Sequence, residues 1–251
     1  MKAGPKAAVE LADLDLEGLP DCGGARAAAW IERYIVTPRG HGALGPMQLA
    51  PFQREILEGI YSPGRRQAVV TCGRGNGKST LLAAVALYEA FAGDWSASVA
   101  VIAPTERQAL YIVSQARRMV DLSPELAART QTFAKKLVIP GRDAEITGLP
   151  ASPDKLQGLD VSLGIADELA EVSPATFEAL DLALGKRETS RLVAISTPGG
   201  DREGPLWRLV EYGRAHPEDP RLWLREWSAP AGGELDDEDA WHAANPALAA
   251  G

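Results

Sequence analysis

Short apolar runs alternate with longer amphipathic stretches along most of the chain. Gln67 to Cys72, Ala97 to Ala103, Val161 to Ala166 and Arg191 to Ser196 are continuous and rich in Val, Ile and Ala, the pattern of strands buried on both faces. Between them, Lys78 to Phe91 predicts an apolar, alanine-rich helix. Thr105 caps a second that runs to about Val120, and Pro174 to Leu184 forms a third. Upstream, Ala25 to Val36 reads as a short helix, and Pro38 to Pro46 must be loop. Pro51 opens a helix to about Ile60, because proline suits the first helical position and Phe52, Ile56, Leu57 and Ile60 share a face. Lys135 to Thr147 predicts a hairpin around Pro140-Gly141, Gly204 to Ala215 one more helix, and Arg221 to Trp227 one more strand. Strands alternating with helices predict an α/β domain with a mainly parallel sheet flanked by helices.

Three segments follow from this reading. Residues 1–24 are expected to be a loose arm, 25–200 the core, and 201–251 a small lid or linker segment. Trp207, Trp223, Trp227 and Trp241 would be packing anchors of that last piece.

Composition narrows the class. A chain of 251 residues with 45% hydrophobic and 24% charged residues is ordinary globular material. No apolar run approaches the roughly 20 residues that cross a bilayer, and no secretion signal opens the chain. Cys22 and Cys72 are the only cysteines, too few for a disulfide scaffold, so a soluble protein of a reducing compartment is expected. The net charge is −8, and from Asp201 onward 5 basic face 11 acidic residues. Composition thus gives no footprint of a nucleic-acid binder. The pairs Arg65-Arg66, Arg117-Arg118 and Lys135-Lys136 read as solvated faces and are the only candidates for a DNA-facing patch. His41, His216 and His242 lack metal-ligand spacing.

The chemistry concentrates after the first strand. Cys72-Gly73-Arg74-Gly75-Asn76-Gly77-Lys78-Ser79-Thr80 approaches the phosphate-loop pattern G-x-x-x-x-G-K-[ST], with Cys72 at the first glycine. Glycines let backbone N–H groups turn onto phosphates, and the helix that follows presents its positive end. Lys78 can reach the β- and γ-phosphates, and Ser79 can ligate Mg²⁺. Leu163 to Glu168 is the partner motif, an apolar strand ending in two acids. Asp167 is positioned to hold hydrated Mg²⁺ and Glu168 to deprotonate a water for in-line attack on the γ-phosphate. The two loops are expected at neighbouring strand ends. Arg74 can sense or neutralise γ-phosphate charge, Ser196-Thr197 can read whether that phosphate is present, and Gln53 can bond an adenine edge through both ends of its amide.

In this order the motifs resemble the large terminase subunits of tailed bacteriophages, from Pro51-Phe-Gln53 to Asn245-Pro246. The resemblance implies a P-loop NTPase fold of the ASCE type, with ATP and Mg²⁺ as cofactors. Gln53 would be the adenine reader, Gly73 to Thr80 the nucleotide loop, Asp167 and Ser79 the Mg²⁺ residues, and Glu168, Arg74 and Lys78 the catalytic groups. Ser196 and Thr197 would couple hydrolysis to movement. Further implied are double-stranded DNA as the translocated substrate, a homo-oligomeric ring, a portal and procapsid, a small terminase subunit, and host cytoplasm as location. A nuclease domain would follow, its activity not expected from this segment. Gln157-Gly158 stands where many relatives carry an arginine that reaches a neighbouring subunit, and Arg129 and Arg142 are alternatives for that role. A helicase-like nucleic-acid-dependent ATPase and a non-hydrolysing nucleotide switch are the rival functions.

Overall fold

A computed structural model describes residues 13–40, 42–230, 232 and 236–248, so the first half of the predicted arm, His41, and part of the acidic run after Gly232 lie outside the described residues. The elements in chain order begin with α1 (Gly23–Tyr34), α2 (Pro51–Tyr61), β1 (Gln67–Thr71), α3 (Lys78–Ala92), β2 (Ser98–Ala103) and α4 (Glu106–Leu122). There follow α5 (Pro124–Ala127), β3 (Gln131–Thr132), β4 (Lys136–Ile139), β5 (Ala144–Pro150), α6 (Pro153–Leu156) and β6 (Leu163–Asp167). The last are α7 (Pro174–Leu184), β7 (Arg191–Ser196), α8 (Pro205–Ala215), β8 (Leu222–Glu226) and α9 (Glu238–Ala244).

Among the described residues the strands form one eight-stranded sheet in the order β3-β4-β5-β2-β6-β7-β1-β8. Every pairing from β5 to β8 is parallel, and the β3-β4-β5 edge is antiparallel, which confirms the hairpin around Pro140. Alternation along the strands divides the core. Val70, Val99, Val101, Ile165, Val193 and Ile195 meet α1 to α4 on one face. Val69, Ala100, Ile102, Ala166, Leu192 and Ala194 meet the α6, α7 and α8 layer on the other.

The alanine-rich composition of α3 has a plain cause. From Leu81 to Phe91 each residue is buried, so the helix is apolar all round rather than on one stripe. Its small side chains leave room for α1, whose Trp30 packs against Tyr88 and Phe91 of α3. Where α1 crosses α2, a Cβ on Gly24 would stand 2.4 Å from the Glu58 backbone nitrogen, so only glycine fits.

Three expectations are corrected. β1 and β6 are not neighbours, since β7 lies between them. The sheet also runs on past Gly200, because β8 pairs in parallel with β1 as its edge strand. Trp223 and Trp227 therefore anchor β8 to the core: the Trp223 ring covers Gly59 of α2, and Trp227 meets Phe52 edge-on at 6.0 Å. Nor is the arm loose where it is described. Leu14 and Leu19 are buried, and the Tyr34 hydroxyl and Arg33 guanidinium donate to the carbonyls of Asp15 and Glu17 respectively. The basic pairs are partly structural too: Arg66 donates to the Leu184, Arg187 and Glu188 carbonyls, Arg117 to those of Phe133 and Ala134, and Lys135 pairs with Glu106.

One acid sits inside this packing. Glu89 on α3 is buried, its carboxylate accepts from the Tyr61 hydroxyl at 3.5 Å, and Arg191, Asp94 and Arg187 are its charged neighbours. Burial pushes its carboxyl up to about 7 from an ordinary 4.5, Arg191 pulling the other way. Between those values the folded chain holds a proton that the unfolded chain has lost, so Glu89 lowers stability as pH rises through that window. Glu89→Gln is expected to flatten this slope and to stabilise the fold at pH 8 by as much as about 3 kcal/mol. Urea melts at pH 5 and pH 8 check it; equal slopes for the two proteins contradict the assignment.

Candidate functional site

Loops that leave parallel strands at their carboxyl ends gather at one edge of the sheet. Thr71 of β1 is in register with Ser196 of β7, and Asp167 of β6 with Ile195 of β7, so the loops after these three strands converge. Gly75 and Gly77 take left-handed φ of 85° and 69°, which turn the chain sharply into the start of α3 at Lys78.

Lys78 and Glu168, far apart in sequence, meet here. The Lys78 ammonium donates to the carbonyls of Cys72 (3.3 Å) and Gly73 (3.2 Å) and stands 3.8 Å from Glu168 Oε1. The other carboxylate oxygen, Oε2, accepts from the Thr197 N–H at 3.1 Å, the Thr197 hydroxyl at 2.8 Å and the Ser196 hydroxyl at 3.4 Å. Glu168 itself adopts a left-handed φ of 52°, a conformation costing a non-glycine residue about 1–2 kcal/mol. The Glu168 N–H bond to Ile195 and the grip of Thr197 hold it there. The turn releases Glu168 from the strand's alternation just after Asp167.

Asp167 is buried, and its Oδ1 has no hydrogen-bond partner among the described residues. Burial first, and the charge of Glu168 second, push its carboxyl up to about 6 against the pull of Lys78. An orphaned carboxylate oxygen beside a phosphate-type loop is the donor that a hard cation requires. Among the described residues no three His, Cys, Asp or Glu cluster, so the site suits a cation held by one carboxylate, a hydroxyl, water and phosphates. Asp167 supplies such a carboxylate, and Ser79, in the first turn of α3, carries a hydroxyl at the end of the loop.

The other predicted residues fall as follows. Gln53 lies against the loop, its Nε2 3.8 Å from where a Gly77 Cβ would be, but its Oε1 accepts from the Ala50 N–H at 3.0 Å and fastens the start of α2. That bond occupies one of the two acceptor sites of Oε1 and neither Nε2 donor. Arg74 is exposed within the loop, and Thr80 follows Ser79 half-buried in α3. Ser196 and Thr197 contact Glu168 directly rather than facing the loop alone. Arg142 lies just before β5, at the opposite edge of the sheet, where it donates to the Gly93 carbonyl and packs over Trp95; Arg129 donates to the Glu125 carbonyl.

Residues 51–215 match the family described as terminase large subunit, ATPase domain. The chain belongs to this family. Its members are ATP hydrolases, and the fold is that of P-loop NTPases. The large terminase subunit of Enterobacteria phage HK97 is 28% identical over 234 residues, covering 90% of this chain and 46% of the relative. The crystal structure of that protein superposes with a TM-score of 0.81 over 90% of this chain and 48% of its own length. The chain thus spans about half the length of the terminase it matches. The large terminase ATPase domain of Thermus phage P74-26, at 23% identity and a TM-score of 0.57 over 80% of this chain and 78% of its own, shares the fold. No helix among the described residues is long and apolar enough to cross a membrane.

Sequence reasoning placed Asn76 in the nucleotide loop and Asn245-Pro246 at the end of the resemblance, but missed that the two meet at this terminase site. Asn76 is buried inside the loop, and Ala244, Asn245 and Ala247 bond to the loop from the far end of the chain. Nothing in local spacing couples positions so distant.

Proposed function

We propose that this terminase domain hydrolyses Mg²⁺-ATP at the loop between β1 and α3, and that the hydrolysis drives double-stranded viral DNA into a procapsid. The observation that carries the reading is Glu168, fixed by Thr197 on one oxygen and facing Lys78 at 3.8 Å on the other. Loop N–H groups and the amino end of α3 bind the phosphates, and Lys78 balances the charge that builds on the β- and γ-oxygens. Asp167 and Ser79 hold Mg²⁺, which supplies charge neutralisation at the β- and γ-phosphates. Glu168 orients a water in line with the γ-phosphorus and takes its proton as the new P–O bond forms and the bond to ADP breaks. The Thr197 N–H and hydroxyl fix the glutamate's geometry and tie the step to the end of β7, where the Ser196 hydroxyl donates chiefly to the Thr197 carbonyl at 2.8 Å. Gln53 Nε2 meets the base, and Arg74 reaches γ-phosphate charge from the loop. A nucleotide switch has no use for a carboxylate fastened in this way, which favours hydrolysis.

In this reading the working state is a homo-oligomeric ring on the portal of a procapsid in the host cytoplasm, with a small terminase subunit as a further partner. Phosphate release measured with Mg²⁺-ATP, alone and with double-stranded DNA and portal-bearing procapsids, tests it. Turnover that requires Mg²⁺ and rises with DNA and procapsids is expected. A rate indifferent to both removes the motor.

A further inference from the structure

The carboxyl-terminal stretch returns to the loop and clasps it. The Gly73 N–H donates to the Ala244 carbonyl at 3.3 Å, Asn76 Nδ2 donates to Asn245 Oδ1 at 3.1 Å, and the Ala247 N–H donates to Asn76 Oδ1 at 2.9 Å. Asn76 is only 3% exposed, and its Nδ2 also donates to the Gly73 carbonyl at 3.0 Å. Both Nδ2 hydrogens of Asn76 are thereby taken by the loop's own backbone and the tail, which leaves this buried amide no donor to offer a phosphate. Asn245 Nδ2 donates to the Trp241 carbonyl at 3.1 Å, which sets the orientation of its amide and leaves Oδ1 toward the loop.

A second, steric observation agrees. A Cβ on Gly73 would stand 2.3 Å from Asn245 Oδ1, although Gly73 does not take a left-handed φ as Gly75 and Gly77 do. A side chain at position 73 would have to displace the Asn245 carboxamide, so glycine there leaves room for the tail's amide.

We propose that Asn245 is a positioning residue of the phosphate loop, so that nucleotide binding at the loop and docking of residues 238–247 strengthen each other. The inference rests on the loop being the ATP site. A glycine-rich loop loses conformational freedom when it closes on phosphates, and a tail that already fixes two of its residues lowers that cost. Linkage is reciprocal: what the tail does for nucleotide affinity, nucleotide does for tail docking. The loop thereby senses whether the chain beyond Pro246 is drawn toward it or pulled away.

The test is a double-mutant cycle of Asn76→Ala and Asn245→Ala, read as the dissociation constant for Mg²⁺-ATPγS by calorimetry. Each single substitution is expected to weaken binding about 5- to 10-fold, and the pair no more than the worse single, because both remove the same link. Asn245→Ala should raise KM for ATP with kcat within about twofold. Deuterium uptake over residues 238–248 in the unsubstituted chain needs no variant to fold, and it should slow several-fold when Mg²⁺-ATPγS is added. Multiplying losses in the cycle, singles without effect, or uptake unchanged by bound nucleotide each overturn the inference while leaving the ATP site standing. A chain that binds no nucleotide at all overturns the ATP reading and this inference together.

Discussion

Glu168→Gln is expected to lower the rate of ATP hydrolysis by about 10²- to 10⁴-fold while leaving Mg²⁺-ATP affinity within about threefold of the unsubstituted chain. The carboxamide keeps the shape of the side chain and one oxygen that can still accept from the Thr197 N–H and hydroxyl, now 3.1 and 2.8 Å away. The left-handed turn at Glu168 therefore has no reason to relax. What is lost is the ability to take a proton from water. Single-turnover phosphate release and binding of a fluorescent nucleotide separate the two effects. Turnover within tenfold of the original would place the base on another residue.

Lys78→Ala should remove binding and turnover together. The ammonium is the cation among the two loop carbonyls and Glu168 Oε1, and charge-assisted bonds of this kind each contribute about 1.5–3 kcal/mol. Loss of its contacts to two phosphates corresponds to at least about 100-fold in affinity. Lys78→Arg should not restore function, because a planar fork cannot occupy the pocket of a compact ammonium. Calorimetric titration with Mg²⁺-ATP decides the matter. Tight binding by the alanine variant would mean that the loop does not hold the phosphates.

Much of the fold was legible because burial on both faces writes itself as unbroken apolar runs. β1, β2, β6 and β7 and the helices α2, α3, α4 and α7 fall within a residue or two of where the pattern placed them. Order across the sheet was not legible. Neighbourship of β7 with β1 and β6 depends on how crossovers wrap, and a strand carries the same valines and isoleucines whichever partners it has. β8 was recognised as a strand, but its pairing with β1, and the packing of its Trp223 over Gly59, join positions far apart in the chain.

The site divides the same way. The meeting of Lys78 with Glu168 could be anticipated, because the chemistry proposed for them dictates their types and their attachment to strand ends. The engagement of Gln53 Oε1 with Ala50 was hidden, since one amide serves equally well as helix cap or base reader. Gly73 was readable as a loop glycine, but not that its missing side chain makes room for Asn245.

β7 carries a last consequence. Hydrogen-bonded to β6 on one side and β1 on the other, it cannot slide without tearing two ladders at once. In the proposed function the reaction is therefore seated on a strand held from both sides, not on a free border of the sheet. Any displacement made by the proposed motor would then belong to what hangs from the borders of the sheet, the β3-β4 hairpin at one flank and the carboxyl-terminal stretch at the other.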